Sequence, residues 1–141
     1  MNKQLSIVVV GCDAYSDIAE YYLQFLRENW GDCPFQVFIA TESHSFSDNE
    51  VVNILCGKDS TWTGRAIRAI NSTDSQYILL TVDDIFMSEK VDTDEFIKIL
   101  QFMKKERIKY YRIPVFRTTN KFEQTYPGNS NAEICNGLFK K

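Results

Sequence analysis

The stretch that decides the fold runs from Tyr77 to Phe86 and reads YILLTVDDIF. Its first part, Tyr77 to Val82, is almost continuously apolar, which is typical of a strand that is covered on both faces in a parallel sheet. The apolar run stops at Asp83 and Asp84. Since ligands of open α/β sheets bind at the carboxyl ends of the strands, this stretch indicates both a buried strand and a polar site at its end.

Apolar runs and amphipathic segments alternate on both sides of this strand. Further strands are predicted at residues 5–10, 35–40, 51–55 and 109–113. Helices are predicted where apolar residues recur at helical spacing, beginning with a capping box at Asp17, with a cap at Ser60 and with a capping pair at Asp92. This order of elements predicts an α/β fold, a Rossmann-like, mostly parallel sheet with helices on both faces.

The 141 residues fit one domain of ordinary size followed by a tail. Residues 1–114 form the predicted α/β domain. Residues 115–141 mix Asn, Thr, Pro and Gly with isolated aromatic residues and show no sustained period. We therefore expect irregular structure in this tail, with room for one short strand.

Composition excludes several classes of function. The chain is 44% hydrophobic and 25% charged, so it can bury a core. A formal net charge of -3 argues against nucleic acid as a partner, because binding phosphates needs a basic face. No window holds the ~18 apolar residues of a membrane span, and the apolar run near the N-terminus is shorter than the about 7–15 residues of an export signal. We therefore expect a cytoplasmic protein without direct membrane insertion.

The adjacent carboxylates of Asp83 and Asp84 are the sharpest chemical feature of the sequence. Two neighbouring carboxylates repel each other unless water or a cation separates them. A hard divalent cation, Mn²⁺ or Mg²⁺, suits such a pair, because it binds one or two carboxylates and completes its shell with water and substrate phosphate. The same spacing also suits a solvated turn, so both interpretations stay open.

Trp62 and Arg65 lie close together near the start of the second predicted helix. An arginine at this place can bind a phosphate, and the helix N-terminus favours negative charge at the same point. The alternative is a tryptophan in the core and an arginine on the surface.

Polar residues also follow the first two strands. Cys12, Asp13 and Tyr15 come after the first strand, and Thr41 and Glu42 come after the second. These residues could hold a base and a ribose, with Tyr15 stacking on the base, although ordinary turns select the same residue types. Neither a P-loop nor a dinucleotide-binding glycine pattern occurs, so a nucleotide here would need a metal and side chains to hold its diphosphate.

These pieces together resemble nucleotide-sugar glycosyltransferases of the GT-A fold, particularly bacterial polysaccharide-biosynthesis enzymes. The resemblance covers roughly residues 5 to 114, and its specific motif is the Asp-Asp pair after the central strand, which looks like the DxD-type element of that family. The similar stretches are Leu5–Val10, Ser60-Thr61-Trp62 with Arg65 and Ala69-Ile70, Tyr77–Phe86, Val91-Asp92 and Tyr111-Arg112-Ile113.

The resemblance implies a donor site for a nucleotide-diphospho-sugar. Asp83 and Asp84 would bind the Mn²⁺ or Mg²⁺ ion that bridges the diphosphate, and Arg65 would lie near the phosphates. The first loop and the Thr41-Glu42 pair would lie near the nucleoside. The full implied donor-binding set is Cys12, Asp13, Tyr15, Thr41, Glu42, Trp62 and Arg65.

The resemblance also divides the chain by role. Residues 1–114 would be the nucleotide-sugar-binding domain, and residues 115–141 would be the remnant of a region that binds a saccharide acceptor. The acids of this tail, Glu123 and Glu133, lie in no recognisable motif, so no catalytic residue is assigned. A protein partner could supply the missing acceptor half.

Two other classes of function are compatible with parts of the sequence. One is a non-catalytic nucleotide-binding or interaction protein that keeps the fold. The other is a receiver-like phosphoacceptor domain. That class is disfavoured because Asp13 stands alone after the first strand and no lysine follows the last one.

Overall fold

The computed structural model describes residues 3–112 and 137–141. Three α-helices and six strands follow one another in these residues, and a short 3₁₀ helix, Asp13–Tyr15, precedes the first α-helix. In chain order the elements are β1 (Leu5–Val10), α1 (Ser16–Asn29), β2 (Gln36–Thr41), β3 (Val51–Leu55), α2 (Trp62–Asn71), β4 (Tyr77–Val82), α3 (Thr93–Lys105), β5 (Tyr110–Arg112) and β6 (Gly137–Lys140).

The six strands form one sheet in the order β3-β2-β1-β4-β6-β5. Strands β3, β2, β1 and β4 pair in parallel, whereas β6 pairs antiparallel to both of its neighbours. The prediction of an α/β fold with a mostly parallel sheet is confirmed. Its physical basis is that β1 and β4 lie side by side in the centre, where only continuous apolar runs tolerate burial on both faces.

Helices cover both faces of the sheet. Successive side chains of a strand point to opposite faces, so β1 contributes to two cores. Ile7 and its same-face neighbours pack with residues of α1 and α3, including Trp30 and Phe96. Val8 on the other face packs with Ala66 and further residues of α2.

The start of α1 differs from the prediction. A capping box at Asp17 was expected, but α1 begins at Ser16 with Tyr15 as its N-cap and without a side-chain cap. The 3₁₀ helix Asp13–Tyr15 leads directly into α1, so its turn replaces the cap. Asp17 lies instead in the first turn, where its charge is favourable to the helix dipole.

The caps of the other two helices depend on side-chain oxygens. Thr61, not the expected Ser60, caps α2 by accepting a hydrogen bond of 3.1 Å from the backbone N–H of Gly64. For α3 the prediction is confirmed, because Asp92 accepts a hydrogen bond of 2.9 Å from the N–H of Glu95. Such caps satisfy amide groups that have no partner inside the helix.

One strand of the sheet comes from the segment that the sequence assigned to an irregular tail. Gly137 of β6 lies opposite Leu80 of β4 and opposite Arg112 of β5. Because β5 runs in the direction of β4, it ends at the carboxyl edge of the sheet, and β6 begins there. The rest of the predicted tail, including Glu123 and Glu133, lies outside the described residues. Within residues 3–112 and 137–141 no helix is long and apolar enough to cross a membrane.

A matched pair of isoleucines tests the central position of β1. Ile7 is 0% exposed and Ile67 of α2 is 54% exposed. We expect Ile7→Ala to lower the free energy of unfolding by about 2–5 kcal/mol, because a cavity replaces the side chain. Ile67→Ala should change it by less than about 0.5 kcal/mol. Urea unfolding of both variants measures the difference, and equal losses would contradict the assignment of β1 to the core.

Candidate functional site

A cleft of about 370 Å³ opens at the carboxyl edge of the sheet, between the ends of β1 and β4 and the first turns of α2. This is the edge at which sheets of this kind bind ligands. Its lining residues are Val10, Gly11, Cys12, Trp62, Arg65, Val82, Asp83, Asp84 and Ile85.

The Asp83 side chain is almost fully buried in the wall of the cleft. It is 8% exposed, and its Oδ2 atom has no hydrogen-bond partner among the described residues. Burial raises the pKa of the Asp83 carboxyl, and the charge of Asp84 adds to this effect. Backbone hydrogen bonds from Asp83 itself and from Cys12, and the charge of Arg65, lower the same pKa. A buried acceptor without a partner costs about 1–3 kcal/mol, so this oxygen needs a partner from beyond the described residues.

Gly11 makes room for this carboxylate. A Cβ atom at position 11 would lie 2.6 Å from Asp83 Oδ2, closer than real Cβ contacts come. Gly11 also donates a backbone hydrogen bond of 3.0 Å to the carbonyl of Ala40, so the end of β1 is held in place. The missing side chain of Gly11 therefore makes the recess that the Asp83 carboxylate occupies.

Asp84 is exposed, in contrast to its neighbour. None of the ion pairs between described residues includes Asp83 or Asp84. No group of three potential metal ligands occurs in the part of the chain that the structure describes. A divalent cation held here would take at most these two ligands from the cleft and the others from substrate phosphate and water.

Arg65, in the first turn of α2, lines the cleft together with Asp83. Its side chain is buried, with only 6% of the residue exposed. Its Nη1 atom donates hydrogen bonds to Glu42 Oε1 and to the carbonyl of Ser60, both at 2.7 Å. Glu42 in turn accepts a hydrogen bond of 2.6 Å at Oε2 from the backbone N–H of Asp13. One buried ion pair thus joins α2 to the loops after β1 and β2.

Asp13 closes the same network from the loop after β1. Its carboxylate accepts hydrogen bonds from the backbone and hydroxyl of Ser43 and, at 2.9 Å, from the backbone N–H of His44. The hydroxyl of Ser43, and then the two backbone groups, hold the pKa of Asp13 well below its usual range. The carboxylate of Asp13 therefore joins two loops rather than pointing an unused acceptor into the cleft.

The structure brings together part of the residue set that the sequence singled out. Thr41 is buried, and its hydroxyl donates a hydrogen bond of 2.6 Å to the carbonyl of His44, whereas Tyr15 is exposed. Trp62 is 37% exposed, which leaves part of its ring available to a ligand. The cleft lining includes Cys12, Trp62, Arg65, Asp83 and Asp84 but not Asp13, Tyr15, Thr41 or Glu42.

Sequence reasoning missed Gly11 and the ion pair between Arg65 and Glu42. A glycine directly after a buried strand is a signal for close backbone approach and could have pointed to Gly11. No signal could have paired Arg65 with Glu42, because residues on different elements meet only through the fold.

No family model, curated protein or solved structure matches the chain. The candidate site consequently rests on its own geometry. That geometry consists of a carboxylate pair at the end of β4, the recess at Gly11 and the buried ion pair of Arg65.

The recess at Gly11 gives a direct test of the site. In the Gly11→Ala variant the new methyl group must displace the buried Asp83 carboxylate, so we expect a loss of about 1–3 kcal/mol in the free energy of unfolding. The Asp83→Ala change removes the carboxylate that the new methyl group would meet. Adding Gly11→Ala to the Asp83→Ala variant should therefore lower the free energy of unfolding by much less than adding it to the parent protein. Urea unfolding of the four proteins measures this coupling, and the same cost in both backgrounds would refute the contact.

The buried carboxylate of Asp83 predicts a stability that depends on pH. Because the pKa is raised in the folded state, the ionised form destabilises the native protein above that pKa, and the penalty disappears below the unfolded value of about 3.9. We expect Asp83→Asn to raise the melting temperature at pH 7, with a smaller gain as the pH falls toward 4.

The control for this variant is Asp74→Asn, at an exposed residue before β4. Its melting temperature should stay near that of the parent protein at both pH values. A lower melting temperature for Asp83→Asn at pH 7 would show that the ionised carboxylate is a stabilising partner in the fold.

Proposed function

We propose that this protein binds a nucleotide-diphospho-sugar through Mn²⁺ or Mg²⁺ and is a GT-A-like glycosyltransferase, or its donor-binding half, in bacterial polysaccharide synthesis. The observation that carries the proposal is the unpartnered Asp83 oxygen beside the exposed Asp84, at the carboxyl end of β4 and next to the recess at Gly11. Asp83 and Asp84 are the residues that would hold the cation. When bound, the cation would offset the negative charge that builds on the departing nucleotide.

The charges around the cleft favour binding that depends on a metal. Asp83 and Asp84 bring two carboxylates to the cleft, whereas the positive charge of Arg65 is balanced by Glu42. A bare diphosphate would meet a net negative surface and be repelled. A divalent cation reverses this repulsion, since it binds the carboxylates and the phosphate oxygens together.

The size and walls of the cleft suit a small organic ligand. Its volume of about 370 Å³ lies within the range of roughly 300–1,000 Å³ that ligand pockets occupy. Val10, Val82, Ile85 and the half-exposed ring of Trp62 supply apolar walls. Such walls beside two carboxylates match a ligand that has both a charged group and a ring.

The remaining parts of the proposal concern the acceptor. A saccharide would receive the sugar, and a protein partner could supply residues that bind this acceptor. A cytoplasmic location belongs to the same proposal. We assign no catalytic residue.

Calorimetric titration with UDP, GDP and their sugars, in the presence and absence of Mn²⁺, tests the donor site. We expect binding only with the metal. Asp84→Asn should weaken it by about tenfold or more, because a charge-assisted contact contributes about 1.5–3 kcal/mol. The matched control is Asp74→Asn, which makes the same change before the first residue of β4 and should leave the affinity unaltered.

Two results would argue against this proposal. Failure of every nucleotide to bind with Mn²⁺ at millimolar concentration would remove the donor site. Binding that survives Asp84→Asn, with neither sugar transfer nor hydrolysis, would instead favour a non-catalytic nucleotide-binding or interaction protein that keeps the fold.

A further inference from the structure

Arg65 lines the cleft with a cationic side chain that is held in place. The residue is more than nine-tenths buried, and its Nη1 atom binds Glu42 and the carbonyl of Ser60. Its Nε atom is buried and has no hydrogen-bond partner among the residues that the structure describes. A guanidinium fixed at this place can bind an anionic oxygen of a ligand.

Glu42 balances the charge of this guanidinium. It binds Nη1 directly at 2.7 Å, whereas no ion pair between described residues joins Arg65 to Asp83. The Asp83 carboxylate is therefore left to the proposed cation.

Glu42 is itself held in a fixed position. Its Oε2 atom accepts the backbone N–H of Asp13, and its own backbone carbonyl accepts a hydrogen bond of 2.8 Å from Gly57. One carboxylate oxygen of Glu42 therefore binds the loop after β1, and the other binds Arg65. Neither oxygen is left to bind a nucleoside. This geometry differs from the role near the nucleoside that the family resemblance implied.

We propose that Glu42 is a positioning residue for the donor site: it holds Arg65 in the wall of the cleft, where the guanidinium binds an anionic oxygen of the ligand. This inference rests on the proposed function, because it concerns the same diphosphate and cation. It adds a division of labour in which Arg65 contacts the ligand and Glu42 acts only through Arg65.

A double-mutant cycle with inorganic pyrophosphate and Mn²⁺ tests this division. Pyrophosphate lacks a nucleoside, so a residue that contacts only the base or ribose cannot affect its binding. We expect Arg65→Gln to weaken Mn²⁺-pyrophosphate binding by about tenfold, and Glu42→Gln by about fivefold. In the double variant the loss should be no greater than for Arg65→Gln alone, because Glu42 has nothing left to position.

The matched control is Glu50→Gln. Glu50 also pairs with an arginine, Arg27, at 3.7 Å, but this exposed pair lies away from the cleft lining. The same chemical change there should leave the affinity for Mn²⁺-pyrophosphate unaltered. Arg65→Lys provides a second variant if Arg65→Gln unfolds, since it keeps the charge but lacks the planar guanidinium, and it should still weaken binding. Melting temperatures identify the folded variants.

The outcomes separate this inference from the proposed function. Losses that add up in the double variant, or a Glu42→Gln protein that binds pyrophosphate normally but UDP weakly, would overturn the positioning role and leave the donor site standing. Normal pyrophosphate binding by both Arg65 variants would show that Arg65 does not contact the ligand, and it would also overturn the positioning role of Glu42. A parent protein that binds neither Mn²⁺-UDP nor Mn²⁺-pyrophosphate would overturn both proposals.

Discussion

The contact between the Asp83 carboxylate and the backbone at Gly11 is the constraint on which the candidate site depends. Strands β1 and β4 are neighbours in the sheet, and Val10 lies opposite Val82 in their register. The residues that follow, Gly11 and Asp83, must therefore pass close to each other. Since a Cβ atom at position 11 would lie 2.6 Å from the carboxylate, only glycine permits this approach without displacement. The buried oxygen and its recess are a direct consequence of strand pairing.

A second constraint comes from the ion pair of Arg65 with Glu42. Burying a charged side chain is tolerated only when a partner and further hydrogen bonds compensate for the lost water. Here Glu42, Ser60 and the amide of Asp13 provide that compensation and connect three segments of the chain. The negative cleft at Asp83 and Asp84 therefore lies beside a cation whose charge is already balanced. The acidic pair itself takes part in no ion pair between described residues.

The sequence predicted the regular elements well where one physical signal dominated. The bounds of β1, β3 and β4 agree with the predicted bounds. For β1 and β4 the reason is an apolar run that ends at a glycine or at a pair of aspartates. Asp92 was expected as the cap of α3 and is confirmed. The expected N-cap of α1 was wrong by two residues, Tyr15 in place of Asp17, because the 3₁₀ helix Asp13–Tyr15 leads directly into the helix. The carboxyl edge that carries the cleft followed from the alternation of strands and helices.

The sequence by itself determined that the chain builds a mostly parallel α/β sheet and that Asp83 and Asp84 stand at the end of a buried strand. Both conclusions depend on local patterns of apolar and charged residues, which act over a few positions of the chain. Only the tertiary structure decided that Asp83 is buried while Asp84 is exposed, that Glu42 holds Arg65, and that β6 joins the sheet beside β4. These features depend on contacts between residues far apart in sequence, and such contacts exist only once the strands have paired and the helices have packed against them.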